Sequence, residues 1–195
     1  MRRFLVPTTN PIKRSNRIVL IAAVLALGAV VVVAKTSSRP LSDPEFAVKA
    51  AQGSYAEVEL GRLAAQKGQS ETVRAFGQRM ATDHAKAKQK LEKIAAQENI
   101  PLPEDLDKDA KQTYEKLSKL SGPAFDRAYA LDMVKDHKKD VAEFQKEASA
   151  GKNGTIRAFA AETLPTLQDH LRQAREIKDL SDRSVAIVPV PNVPK

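Results

Sequence analysis

Between residues 45 and 178, apolar and small side chains recur every three or four positions, the spacing of helices that bury one face. Breaks divide this stretch into helical segments. A first helix runs from about Glu45, after Pro44, to Lys67, where Gly68 ends it; a second opens at Ser70 and reaches about Glu98, before Asn99-Ile100-Pro101. Pro101-Leu102-Pro103 starts a connecting segment with a shorter helix near Glu104–Leu120, and Ser121-Gly122-Pro123 restarts a long third helix ending at Ala150. The fourth long helix spans about Asn153–Lys178, and Pro165 is expected to kink it. The pattern predicts an all-α four-helix bundle over residues 45–178.

Each long helix shows one buried seam. The seams read Phe46, Ala50, Gly53, Glu57, Leu60, Ala64; then Val73, Gly77, Met80, His84, Ala87, Leu91, Ile94; then Ala130, Met133, His137, Val141, Phe144, Ala148; then Ile156, Ala160, Thr163, Leu167, His170, Ala174, Ile177. Every seam is apolar or small apart from one interruption: Glu57, His84, His137 and His170. The chain has 3 histidines, so all of them face the core.

Counting from the hairpin turns compares their depths. Glu57 lies 12 residues before Gln69 and His84 15 after it; His137 lies 15 before Lys152 and His170 18 after it. At about 1.5 Å of rise per residue, each pair agrees in height to about 4–5 Å. If the 99–122 connection runs the length of the bundle, the two turns lie at opposite ends and all four side chains meet near its middle.

The two ends of the chain have a different character. Ile18–Ala34 is an uncharged run of 17 residues preceded by Arg2, Arg3, Lys13, Arg14 and Arg17. Signal peptides carry about 7–15 apolar residues and spanning helices about 17–25, so residues 1–35 read as a secretory signal, cleaved after Val32-Val33-Ala34, or as an uncleaved membrane anchor. Either places the bundle outside the cytoplasm, periplasmic or anchored facing that side. Residues 36–44 form a linker, and residues 179–195, with three prolines in the last seven positions, read as an extended disordered tail.

The charge follows the same division. The formal net charge is +8, but the N-terminal segment contributes five positive charges and no negative ones. The remainder carries 27 Lys and Arg against 24 Asp and Glu, and its lysine-rich stretches interleave with acids and lack stacking aromatics, so no nucleic-acid partner is expected. The absence of Cys excludes disulfides, thiolate metal sites and a Cys nucleophile.

The stretches FAVKAAQGSYAEVELGRLAAQKGQSETVRAFGQRMATDHAKA, SGPAFDRAYALDMVKDHKKDVAEFQKEA and FAAETLPTLQDHLRQA resemble the bacterial exported family called domain of unknown function 4142. The resemblance spans residues 45–178 and rests on AEVELG, MATDH, FDRAY, KDH and TLPTLQDH. It implies a ferritin-like fold, hence a long crossover, and an exported location.

Ferritin-like di-iron sites use Glu-x-x-His pairs, whereas the residues three before each His here are Ala81, Val134 and Leu167. Three imidazoles and a carboxylate instead suit one ion of Zn, Cu, Fe or Ni. Each His follows an acid, Asp83, Asp136 or Asp169; adjacent helical residues diverge by about 100°, so each Asp is placed to hold the imidazole of a neighbouring helix rather than its own neighbour. The alternative is a metal-free Asp/His/Glu network in a non-catalytic envelope bundle that binds an unspecified protein. A mononuclear redox enzyme is a third class, but no nucleophile elbow, phosphate loop or dinucleotide fingerprint points to a substrate.

Overall fold

A computed structural model describes residues 40–186, with side chains to residue 183. The signal or anchor segment, residues 36–39 of the linker and the proline-rich end lie outside the described residues. Among those described, no helix is long and apolar enough to cross a membrane. Five helices pack as a bundle: α1 (Asp43–Lys67), α2 (Glu71–Gln97), α3 (Lys108–Ser118), α4 (Gly122–Ala150) and α5 (Gly154–Ala186).

The helix starts are set by short polar side chains. Ser42 and Glu45 form a capping box on α1, with Pro44 in its first turn, where the missing N–H has no helical acceptor to lose. The Ser70 hydroxyl accepts from Val73 N at 3.2 Å, Asp107 accepts from Ala110 N at 2.8 Å, and the Asn153 side-chain oxygen accepts from Thr155 N and Ile156 N at 2.9 and 3.0 Å. Two limits differ from the sequence reading. The connecting helix is shorter, because Asp107 rather than Glu104 supplies the cap. Helix α5 contains Pro165 and continues eight residues past Lys178, its last described side chains held by Arg127–Asp182 and Lys178–Asp182 pairs at 2.8 Å.

Contacts at the two ends give the direction of each helix. The buried Asp126 carboxylate, near the start of α4, accepts from the backbone N–H of Gln69 and Ser70 at 2.8 Å, joining the first hairpin turn to that end. At the other end Asp43 accepts from Lys152 N and Asn153 N, and the Asn153 amide donates to Glu98 at 2.6 Å. The turns therefore lie at opposite ends, α2 and α4 run parallel, and residues 98–121, carrying α3, cross back along the bundle. Helix α1 packs on α2 and α4 on α5, and the two hairpins meet through α1 with α4 and α2 with α5.

Helices α1 and α2 approach closely at two glycines. A Cβ built at Gly61 would stand 2.7 Å from the Gly77 carbonyl oxygen, and one at Gly77 would stand 2.7 Å from the Ala65 nitrogen. Such backbone contacts can be relieved only by separating the helices. The remaining core forms two clusters. One, around Leu60, Met80, Tyr129 and Met133, fills the end bearing the first turn; the other, around Phe46, Leu91, Phe144 and Phe159, fills the opposite end.

Gly77→Ala should destabilise the bundle by about 1–3 kcal/mol through overpacking, lowering Tm by several degrees in thermal circular dichroism. An unchanged Tm would contradict this account of the α1–α2 contact.

Candidate metal centre

Between the two apolar clusters lies one polar layer. His84 from α2, His137 from α4, His170 from α5 and Glu57 from α1 are 5%, 0%, 1% and 3% exposed. The imidazole centroids form a nearly equilateral triangle, 5.6 Å from His84 to His137 and 5.4 Å along the other two sides. One potential ligand atom of each histidine lies within 4.8 Å of the other two. Nitrogens bound at about 2.0–2.1 Å to a single ion are at most about 4.2 Å apart, so small side-chain movements bring this set onto an ion.

Contacts outside the triangle orient two of the rings. His170 Nε2 lies 3.0 Å from Asp83 Oδ2; an ionised carboxylate only accepts, so Nε2 carries the proton and Nδ1 keeps a lone pair. His137 Nδ1 donates to the Met133 carbonyl at 3.1 Å, which leaves Nε2 with the lone pair. Among the described residues, the buried side-chain nitrogens with no hydrogen-bond partner are His84 Nε2, His137 Nε2 and His170 Nδ1. Asp83 is itself held by Arg79 Nε at 3.2 Å, and the same guanidinium donates to Asp169 at 2.6 Å.

Burial holds all three imidazoles neutral. It pushes His84 well below the usual imidazole range, with His137 and His170 adding charge repulsion. His137 is pushed down to about 3 by burial first and His170 second. His170 is lowered by burial despite the opposing pull of Asp83.

The other predicted residues take different places. Glu57 is outside the triangle: its Oε1 stands 3.9 Å from His137 Nδ1, the nitrogen committed to Met133, and its Oε2 is buried without a partner. Burial, followed by repulsion from Asp140, Asp136 and Asp132, raises the Glu57 pKa well above the carboxylate range. Of the three acids preceding histidines, Asp83 reaches an imidazole on a neighbouring helix. Asp169 instead pairs with Arg172 and Arg79, which in that order hold its pKa low. Asp136 lines a cleft between α1 and α4.

Two features escaped the seam reading. Arg79 ties Asp83 in place, although its i,i+4 spacing to Asp83 was visible in the sequence. Asp132, Asp136 and Asp140 form a stripe along α4 facing Glu57 across the same cleft. Burial raises Asp132 to about 6 and Asp140 to about 7, reinforced by their acidic neighbours.

Fold and site together define an all-α bundle with a buried three-histidine layer. The chain belongs to the family described as Domain of unknown function (DUF4142), whose profile matches residues 31–177. The bundle is similar to the crystal structure of a DUF305 fragment from Deinococcus radiodurans, with a TM-score of 0.61, covering 72% of this chain and 95% of that one. At 15% identity, that likeness is one of fold. No curated protein was found to match the chain.

A histidine whose folded pKa is depressed contributes stability that is present above its unfolded value of about 6.5 and is lost as pH falls toward the folded value. The metal-free protein should therefore lose stability through His137 from about pH 6.5 down to about 3. The raised carboxylates act in the opposite sense, so the measurement is the difference from His137→Gln. Denaturant unfolding should show the wild-type advantage shrinking by on the order of 1 kcal/mol per pH unit below 6; a pH-independent difference would contradict a buried neutral His137.

Proposed function

We propose that this protein is an exported, ferritin-like bundle with a crossover connection that binds one transition-metal ion through His84, His137 and His170. The observation that carries the reading is the set of three clustered histidines, each with a buried nitrogen that has no partner among the described residues. Leaving such a group unpaired costs about 1–3 kcal/mol, and a metal-free network in this core would be expected to pair them with one another or with Glu57. A single cation satisfies all three at once.

The donor set supports the ion class. Neutral imidazoles suit Zn, Cu, Ni or Fe, whereas an oxygen-preferring ion such as Ca would find no oxygen in the triangle. Asp83 and the Met133 carbonyl supply the outer hydrogen bonds that keep ligating imidazoles in one tautomer. Glu57, behind His137, is a buried carboxylate that would ionise to offset the charge of a bound dication. Three protein ligands leave a coordination position open, as in sites that exchange an ion or admit a small molecule. The role that follows is holding or transferring a metal ion outside the cytoplasm.

The test is metal content after exposure of untagged protein to Zn, Cu, Ni and Fe. Wild type should hold one ion per chain, His137→Ala should lose it while keeping its helicity, and Asp83→Asn should weaken binding by about 10–100-fold. Wild type with no ion above background would leave the layer as a hydrated polar network.

Export rests on the charge-free run Ile18–Ala34 and the five basic residues before it. A reporter fused after Lys195 should be active only in the extracytoplasmic compartment; activity confined to the cytoplasm would refute it. Mass spectrometry of the mature N-terminus then distinguishes cleavage after Ala34 from an intact membrane anchor.

A further inference from the structure

Gly53 lies in the middle of α1, where glycine costs about 0.5–1 kcal/mol relative to alanine. Packing does not explain it. Gly61 and Gly77 stand against neighbouring backbone, but a Cβ at Gly53 would meet nothing within 4 Å. The space beside Gly53 belongs to two cavities. The outer one is an acidic cleft of about 240 Å³ walled by α1, α4 and the start of α3, with Glu57 on one side and Asp132, Asp136 and Asp140 along α4. The inner one, about 20 Å³, extends to His84. Gly53, Lys49, Asp140 and Glu143 line both.

We propose that these two cavities form the passage by which a metal cation reaches the three-histidine layer, and that Gly53 keeps the junction open. The inference rests on the metal reading above. The cleft's acids outnumber its lysines, Lys49, Lys135 and Lys139, so its net charge attracts cations, and low-dielectric walls raise their local concentration. A volume of about 20 Å³ exceeds the roughly 10–15 Å³ needed for one water, so the inner cavity admits a single water or a largely dehydrated cation. Asp140 and Glu143 offer oxygens that replace lost water ligands at this narrow point, and His84 lines the same cavity. Lys49, the cation at the junction, is paired with Glu143 at 2.8 Å and half-exposed, so it can swing outward.

Filling the junction tests the passage. Leucine is a good helix former, and the space at Gly53 accepts a side chain, so Gly53→Leu should fold with at least wild-type helicity. In stopped flow with Zn2+ on the full chain, binding that disappears in His137→Ala is the signal read. Gly53→Leu should slow both uptake and release into excess chelator by about tenfold, about 1.4 kcal/mol on each barrier, with Kd unchanged within about twofold. An obstruction on the path raises both barriers equally, whereas damage to the site changes Kd. Gly53→Ala should lie between the two, and Asp140→Asn should slow uptake and flatten its decline with ionic strength.

Unaltered rates in Gly53→Leu, with His137-dependent binding intact, would overturn the passage and leave the metal reading standing. A changed Kd or stoichiometry in Gly53→Leu would make Gly53 part of the site's structure and would also overturn the passage. No His137-dependent binding of Zn2+, Cu2+, Ni2+ or Fe2+ in wild type would overturn the metal reading and the passage together.

Discussion

Three neutral imidazoles share one layer of the core, and the rest of the bundle is arranged around the need to keep them there. The apolar clusters above and below bury the layer, and that burial holds the rings neutral. Neutral rings carry lone pairs, and the lone pairs of His137 and His170 are placed by hydrogen bonds made on the far side of each ring. The crossover sets the direction of the helices. With α2 parallel to α4, His84, His137 and His170 reach one height near mid-bundle from three helices, although the two hairpin turns lie at opposite ends.

The fold was largely legible because its signals are repetitive. Four heptad seams, each interrupted once, identified the polar layer, and the proline and glycine breaks bracketed a connection long enough to return along the bundle. Counting residues from the turns brought the three histidines to a common depth. Element ends were less legible. The sequence pattern places the end of the last helix near Lys178, ahead of the proline-rich tail, but polar residues also continue a helix when ion pairs hold its exposed face, as Asp182 does with Arg127 and Lys178.

The surroundings of the histidines were harder to read, for a geometrical reason. Asp83, Asp136 and Asp169 occupy the same position relative to a histidine, yet one meets an imidazole, one the acidic cleft beside α1 and one two guanidinium groups. The residue before a core position lies at the edge of its helix, and the neighbouring helix decides what that edge meets. Sequence spacing gives the edge and not the neighbour. Glu57 shows the same limit in depth. It shares a layer with the histidines, but it approaches His137 from the side of Nδ1, and a count at 1.5 Å per residue does not distinguish the faces of a ring.

The two kinds of buried group are displaced in opposite senses by a single cause. Burial disfavours charge, so the imidazoles stay neutral to unusually low pH while Glu57, Asp132, Asp136 and Asp140 hold protons to unusually high pH. Neither group can relieve the other by proton transfer, because an imidazolium–carboxylate pair would place two charges in the same poorly solvated space. A divalent cation would change that balance. Bound to neutral nitrogens, it would add positive charge without protonating a ring, and it would favour ionisation of Glu57 beside His137. On the metal reading, protonated Glu57 is a reserve of negative charge released as the ion arrives, and that coupling is why a buried carboxylate and a neutral imidazole triangle suit one another on opposite sides of His137.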